Sequence, residues 1–139
     1  VQVEGDSLLL VTGGTTGLTL DSSQNATFAG TVSDSKGNLR DVPGAAKSSQ
    51  YTIVASDAGK AIYNSSGGWV FNTSTAFTSG NMVTLINNSG ADQTITATGV
   101  TIYNTADGST GNRTLAGRGM CTLISAGSNI YYISGAGLS

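Results

Sequence analysis

The sequence predicts an all-β protein in which an extended N-terminal shaft or docking segment, residues 1–46, precedes a small antiparallel β-sandwich or barrel-like domain, residues 47–139. Three observations carry this expectation. Good helix formers are scarce: one Glu, three Lys, three Arg and scattered Leu cannot supply a solvent-facing helical stripe. Twenty glycines and recurring turns such as Ser66-Gly67, Ser89-Gly90 and Asp107-Gly108 punctuate the chain at the short intervals that strands need. Between those turns lie short runs rich in Val, Ile, Thr and Tyr, with apolar and polar residues alternating in pairs such as Val83 and Leu85.

Composition narrows the function. A net charge of −2 with only 10% charged residues leaves no basic surface to neutralise phosphates, so nucleic acid is not an expected partner. The surface must instead be clothed in Ser, Thr, Asn, Gln and Gly. No apolar stretch is long enough to cross a bilayer, so no membrane partner is expected, and no basic-then-apolar leader opens the chain. It begins with Val1 rather than Met, which points to a longer chain that has been processed or truncated.

Within residues 1–46 the runs at 8–11, 18–20 and 26–32 read as short strands, separated by Gly-rich or Asp-Ser-Ser-Gln-Asn turns. Five of the eight acids fall here: Glu4, Asp6, Asp21, Asp34 and Asp41. Large apolar side chains are too few for a core, so partner chains are the expected cover for Leu18, Leu20, Phe28 and Val32. The single proline, Pro43, sits in a stretch of turn formers and small residues, 41–49, that reads as a hinge. Beyond it, strands are expected at 51–54, 61–63, 69–71, 82–86, 94–97, 100–103, 113–115, 120–125 and 129–133.

Several segments look chemical. Residues 10–19 resemble a glycine-rich dinucleotide turn, but Thr19 replaces the final glycine and turn formers follow where a helix must start. A Gly-rich bend between strands is the better reading. Histidine is absent, which removes the commonest general base and metal ligand. The C-terminal acids Asp57, Asp92 and Asp107 each neighbour Gly, Ala or Ser and read as turn caps. Cys121 lies in an apolar run and reads as a small core side chain. No catalytic residue, cofactor or metal is expected, and the chain is not expected to be an enzyme. The remaining functional candidates are contacts to a receptor or glycan: Trp69, which follows Ser65-Ser66-Gly67-Gly68, and Asp107 and Asn112 in the loop 105–112. Aromatics on strands more often belong to a core or a subunit interface than to a binding site.

Two sets of residues resemble a known group. Residues 18–32, LTLDSSQNATFAGTV, are similar to shaft sequences of bacteriophage tail fibres and related virion proteins. Ser56-Asp57-Ala58-Gly59-Lys60, VTLINNS at 83–89, TGNRTLA at 110–116 and ISGAGLS at 133–139 resemble, in that order, a small β domain that closes many phage structural proteins. The resemblance implies a homotrimeric virion appendage on the exterior of the tail or capsid. Its partners would be copies of itself, other virion proteins through the N-terminal segment, and a host surface glycan or protein. A tail fibre that contributes to host attachment leads; a capsid decoration protein that stabilises the shell is the alternative, and a polysaccharide depolymerase the third reading.

Overall fold

Alternation of side chains decides which way each strand of the C-terminal region faces. Val83, Leu85 and Asn87 are buried while Met82, Thr84 and Ile86 turn outward, the period of two that an extended backbone imposes. The computed structural model describes residues 2–5, 7–35, 37–39 and 41–139; Asp6, counted among the N-terminal acids, lies outside them. The chain is mostly β and divides into two compact units, Val1–Asp41 and Val42–Ser139. That division precedes the boundary expected at 46–47 for a local reason. Residues 44–47, read as part of a hinge, form a strand that pairs in parallel with Ala61–Asn64.

In the first unit, β1 (Gln2–Glu4), β2 (Ser7–Thr12), β3 (Thr15–Leu20) and β4 (Ala26–Phe28) form a four-stranded antiparallel meander. Gly13 and Gly14, with φ of 57° and 78°, make the tight turn between β2 and β3, where positive φ at both central residues matches the twist of a hairpin. The glycine-rich run is thus a bend between strands. Asp21 organises the next turn: its carboxylate accepts from the amides of Ser23 and Asn25 and from Asn25 Nδ2. The Asn25 side chain, then the Asn25 amide, hold that carboxyl below the usual range. The strand expected at 26–32 stops at Phe28, and Val32 belongs instead to a hairpin of β5 (Ser33–Asp34) and β6 (Gly37–Asn38), closed by the Leu39 amide donating to the Val32 carbonyl.

The second unit is one nine-stranded sheet. It contains β7 (Gly44–Lys47), β8 (Tyr51–Thr52), β9 (Ala61–Asn64), β10 (Trp69–Asn72), β11 (Met82–Asn87), β12 (Gln93–Thr98), β13 (Thr101–Asn104), β14 (Arg113–Gly127) and β15 (Ile130–Leu138). Its main path runs β7-β9-β11-β14-β12-β10-β8, with β15 beside β14 and β13 beside β15. The two ends of that path, β7 and β8, are consecutive in sequence, so the sheet nearly closes on itself like a barrel. The expected antiparallel arrangement is corrected here: β7, β9 and β11 are parallel to one another, as are β8, β10 and β12, and so are β13 and β15. The cause is the order of travel. Successive strands go to alternate ladders, so each ladder receives every second strand running the same way, and no helical crossover is needed. Only β14 is antiparallel to its neighbours, pairing through residues 120–124 with β11 and through residues 113–115 with β12.

Stacked corners join the ladders. In the parallel register Lys47, Asn64 and Asn87 are successive partners, and each ends its strand where the chain turns. Asn64 Nδ2 donates to the carbonyls of Ser49 and Gly68 at 3.0 and 2.7 Å. Asn87 Nδ2 lies 2.8, 2.9 and 3.0 Å from the carbonyls of Ala91, Leu115 and Ala116. Gln93 links the two, donating to the Asn64 carbonyl and to Asn87 Oδ1 and accepting from the Gly68 amide. Gly68 has φ of 71°, and a Cβ there would come within 2.1 Å of the Thr94 carbonyl oxygen, so only glycine lets the corners pack this closely. All three amide side chains are buried. Inside the sheet they adjoin a core of Ile53, Ile62, Trp69, Phe71, Val83, Leu85, Ile95, Ile102, Leu115, Leu123, Tyr131 and Ile133, each worth about 1.5–3 kcal/mol of burial.

Asn87→Ala removes a buried donor and a buried acceptor together, taking one acceptor from Gln93 Nε2 and the side-chain donor from the Leu115 carbonyl. We expect a loss of about 3 kcal/mol in urea unfolding. Asn88→Ala next door, whose side chain bonds only Arg118 Nη1 at the surface, changes stability by under about 0.5 kcal/mol.

Candidate functional site

The three residues expected to contact a receptor do not come together. Trp69 is fully buried, which corrects its assignment as an exposed ring. It stands on β10 between β8 and β12 and points inward with Phe71, so no sugar can stack on it; its Nε1 has no hydrogen-bond partner. Asp107 and Asn112 are both exposed in the loop that follows β13, and the Oδ1 of each is already engaged. Asp107 Oδ1 accepts from the Ser109 hydroxyl at 2.6 Å and the Ser109 amide at 2.9 Å. These bonds, the hydroxyl's first, hold its carboxyl below the usual range. Asn112 Oδ1 accepts from the Ala97 amide at 2.9 Å. Both residues brace the loop.

The other acids also serve structure. Asp57 is buried and accepts from the Tyr51 hydroxyl and the Val54 amide, each at 3.0 Å, with Lys60 Nζ at 3.7 Å. Asp92 Oδ1 accepts from the Gly117 amide at 3.2 Å, holding the bend of β14 rather than its own turn. Among the described residues no three His, Cys, Asp or Glu side chains gather as a metal site would require. A shallow hollow lined by Val42, Gly59, Lys60, Met82, Val83 and Thr84 measures about 180 Å³, short of the roughly 300–1,000 Å³ of small-molecule sites.

What the molecule does offer is apolar surface on two sheet faces. In the N-terminal unit the register aligns Val3, Leu8, Leu20 and Ala26 across β1 to β4, and Leu10, Leu18 and Phe28 beside them. All seven share one face, since Leu8 and Leu10, Leu18 and Leu20, and Ala26 and Phe28 are two apart. Phe28 is 51% exposed and Val3 71%. No side chain described in this unit is buried.

The second face is the outside of the C-terminal sheet. Met82 on β11, Ile124 on β14, Tyr132 on β15 and Tyr103 on β13 are direct cross-strand neighbours in one row. Thr84, Thr122 and Ser134 form the next row, the two threonine hydroxyls 3.3 Å apart. Tyr63, Ile86, Met120 and Ala136 form the third. The rings of Tyr103 and Tyr132 stack at 5.4 Å and 21°. No charged residue occupies any of these positions. Sequence reading missed this face because it treated 82–86 and 120–125 as core strands of one wet face. The signal was available: positions 82, 86, 120 and 124 carry large apolar residues where alternation calls for polar ones.

Comparison with protein-family models, with curated proteins and with solved structures yields no match.

Cys121 provides a check on the inward and outward assignment. It is buried on β14, and burial pushes its thiol from 9.0 up to about 12. The neutral form is favoured in the folded state, so its contribution to stability is intact below pH 9 and is lost as pH rises toward 12, by about 1.4 kcal/mol per unit. Alkylation at pH 8 should leave the native protein unlabelled and modify it fully in denaturant; rapid native labelling means the strand faces the other way.

Proposed function

We propose that this chain is a non-enzymatic structural or adhesive module of a bacteriophage virion, a tail fibre or other receptor-binding appendage that works as an assembly of its own copies. The observation that supports the self-assembly is the N-terminal unit. A single four-stranded layer with an apolar face and no buried side chain among the described residues gains too little burial to offset its ordering entropy. A matching face from another copy supplies the missing second layer. The phage setting, the three-fold symmetry and the docking of this unit to other virion proteins rest on the sequence resemblance.

Host contact falls to the C-terminal unit. With Trp69 in the core, the loop bearing Asp107 and Asn112 is the part we assign to a host surface glycan or protein. Braced loops on a β scaffold hold a fixed shape for such contacts.

The solution mass tests the assembly. Sedimentation should give three times the 13.9 kDa chain. Phe28→Glu removes an apolar contact worth about 1.5–3 kcal/mol, so the dissociation constant should rise about ten- to hundredfold. A wild-type chain that sediments as a monomer at every concentration refutes the reading. Host attachment is tested by binding of the purified assembly to host cells, which deletion of residues 42–139 must abolish.

A further inference from the structure

The outward face of the C-terminal sheet is open where a monomer's surface ought to be polar. Met82 is 46% exposed, Met120 53%, and Ile124 and Tyr132 each 43%. The face is uncharged, with a band of three hydroxyl side chains between two apolar rows. We infer that another copy of this chain covers it, packing along Met82, Ile124, Tyr132 and Tyr103; this deepens, and rests on, the self-assembly reading above.

Size argues for it. Five strands about 4.8 Å apart, three of them contributing five residues and β9 and β13 four each at about 3.3 Å, make a face of roughly 300–400 Å² in projection, within the size range of the largest patches on monomers, which are often functional. The N-terminal face has nearly the same dimensions. Specific complexes bury about 800 Å² on each partner, so the N-terminal face alone falls to less than half of that, and the two faces together approach it. At the two ends of the sheet's main path edge pairing is blocked, and β13, which has β15 as its one strand neighbour, is bridged at Tyr103 by Thr110. The free edge of β7 follows Pro43 and carries Lys47, and β8 is two residues long; proline, lysine and short length are the features that block edge-to-edge growth. The three rows carry no charge, and Lys60, which adjoins Met82 and Thr84, already faces Asp57, so the face does not call for an acidic or basic partner. The same row of threonine and serine hydroxyls on a second copy answers the first.

The chain's two methionines both lie on this face, so the native full-length protein reports on it directly. Peroxide oxidation of Met82 and Met120, read by mass spectrometry beside sedimentation of the same samples, should slow several-fold as concentration carries the protein from monomer to assembly. Unchanged oxidation in samples that sediment as assemblies overturns this inference and leaves the N-terminal assembly standing. A monomer at every concentration overturns both. Ile124→Glu should shift the mass toward monomer with an unaltered circular dichroism spectrum, while Ser66→Glu, exposed away from the face, should not. Should Ile124→Glu fail to fold, the oxidation of the native chain decides alone.

Discussion

Asn87 is the point at which the C-terminal unit is tied together. Its amide reaches carbonyls on the corner after β11 and on β14, while its oxygen receives Gln93 and Ser89. A buried amide is costly unless every donor and acceptor is matched. Matching it forces the corners of neighbouring rungs into one register, and the apolar rows follow. The succession Lys47, Asn64, Asn87 shows how the stack ends. Asparagine stands where another rung lies on top, and lysine stands on the outermost rung, its ammonium 3.8 Å above the Tyr51 ring.

This arrangement divides the chemistry of the molecule. Carboxylates and amides, the groups most able to bind or react, are spent on corners and turns: Asp57 on Tyr51 and Val54, Asp92 on Gly117, Asn112 on Ala97. The surface is left with hydroxyls and large apolar side chains in rows along the strands. Open, largely apolar faces suit broad contact with another protein surface better than enclosure of a small ligand.

Local physics made part of this legible in the sequence. The bend at Gly13-Gly14 followed from glycine's tolerance of positive φ, and the strands expected at 82–86 and 94–97 followed from alternation and extend to 82–87 and 93–98. Burial of Cys121 followed from its apolar neighbours. Pairing partners did not follow, because a period of two fixes a strand without fixing its neighbour. The parallel ladders escaped for that reason, although Asn64-Ser65-Ser66-Gly67 and Asn87-Asn88-Ser89-Gly90 repeat the same corner and a search for internal repeats would have found them. Trp69 was misplaced because the four small residues before it suggest exposure. In three dimensions the same glycines bring the corner so close to its neighbours that the ring is driven inward. Residues 44–47 looked like hinge because glycine and alanine carry no strand preference; a neighbouring strand with free hydrogen bonds supplied it.

The two parallel ladders share no strand pairing of their own; beyond the corners, the strand that pairs with both is β14, whose two halves serve one ladder each. Everything from β7 to β12 therefore emerges from the ribosome before the strand that joins it has been made. Until residues 113–127 arrive, each ladder ends in an unpaired edge, with its inward apolar residues open to water. The last fifth of the chain thus acts as the closing seam, and the unit's cooperativity is set by when that seam zips rather than by how well the early rungs form. A chain broken before Arg113 forfeits the enclosure of the whole core.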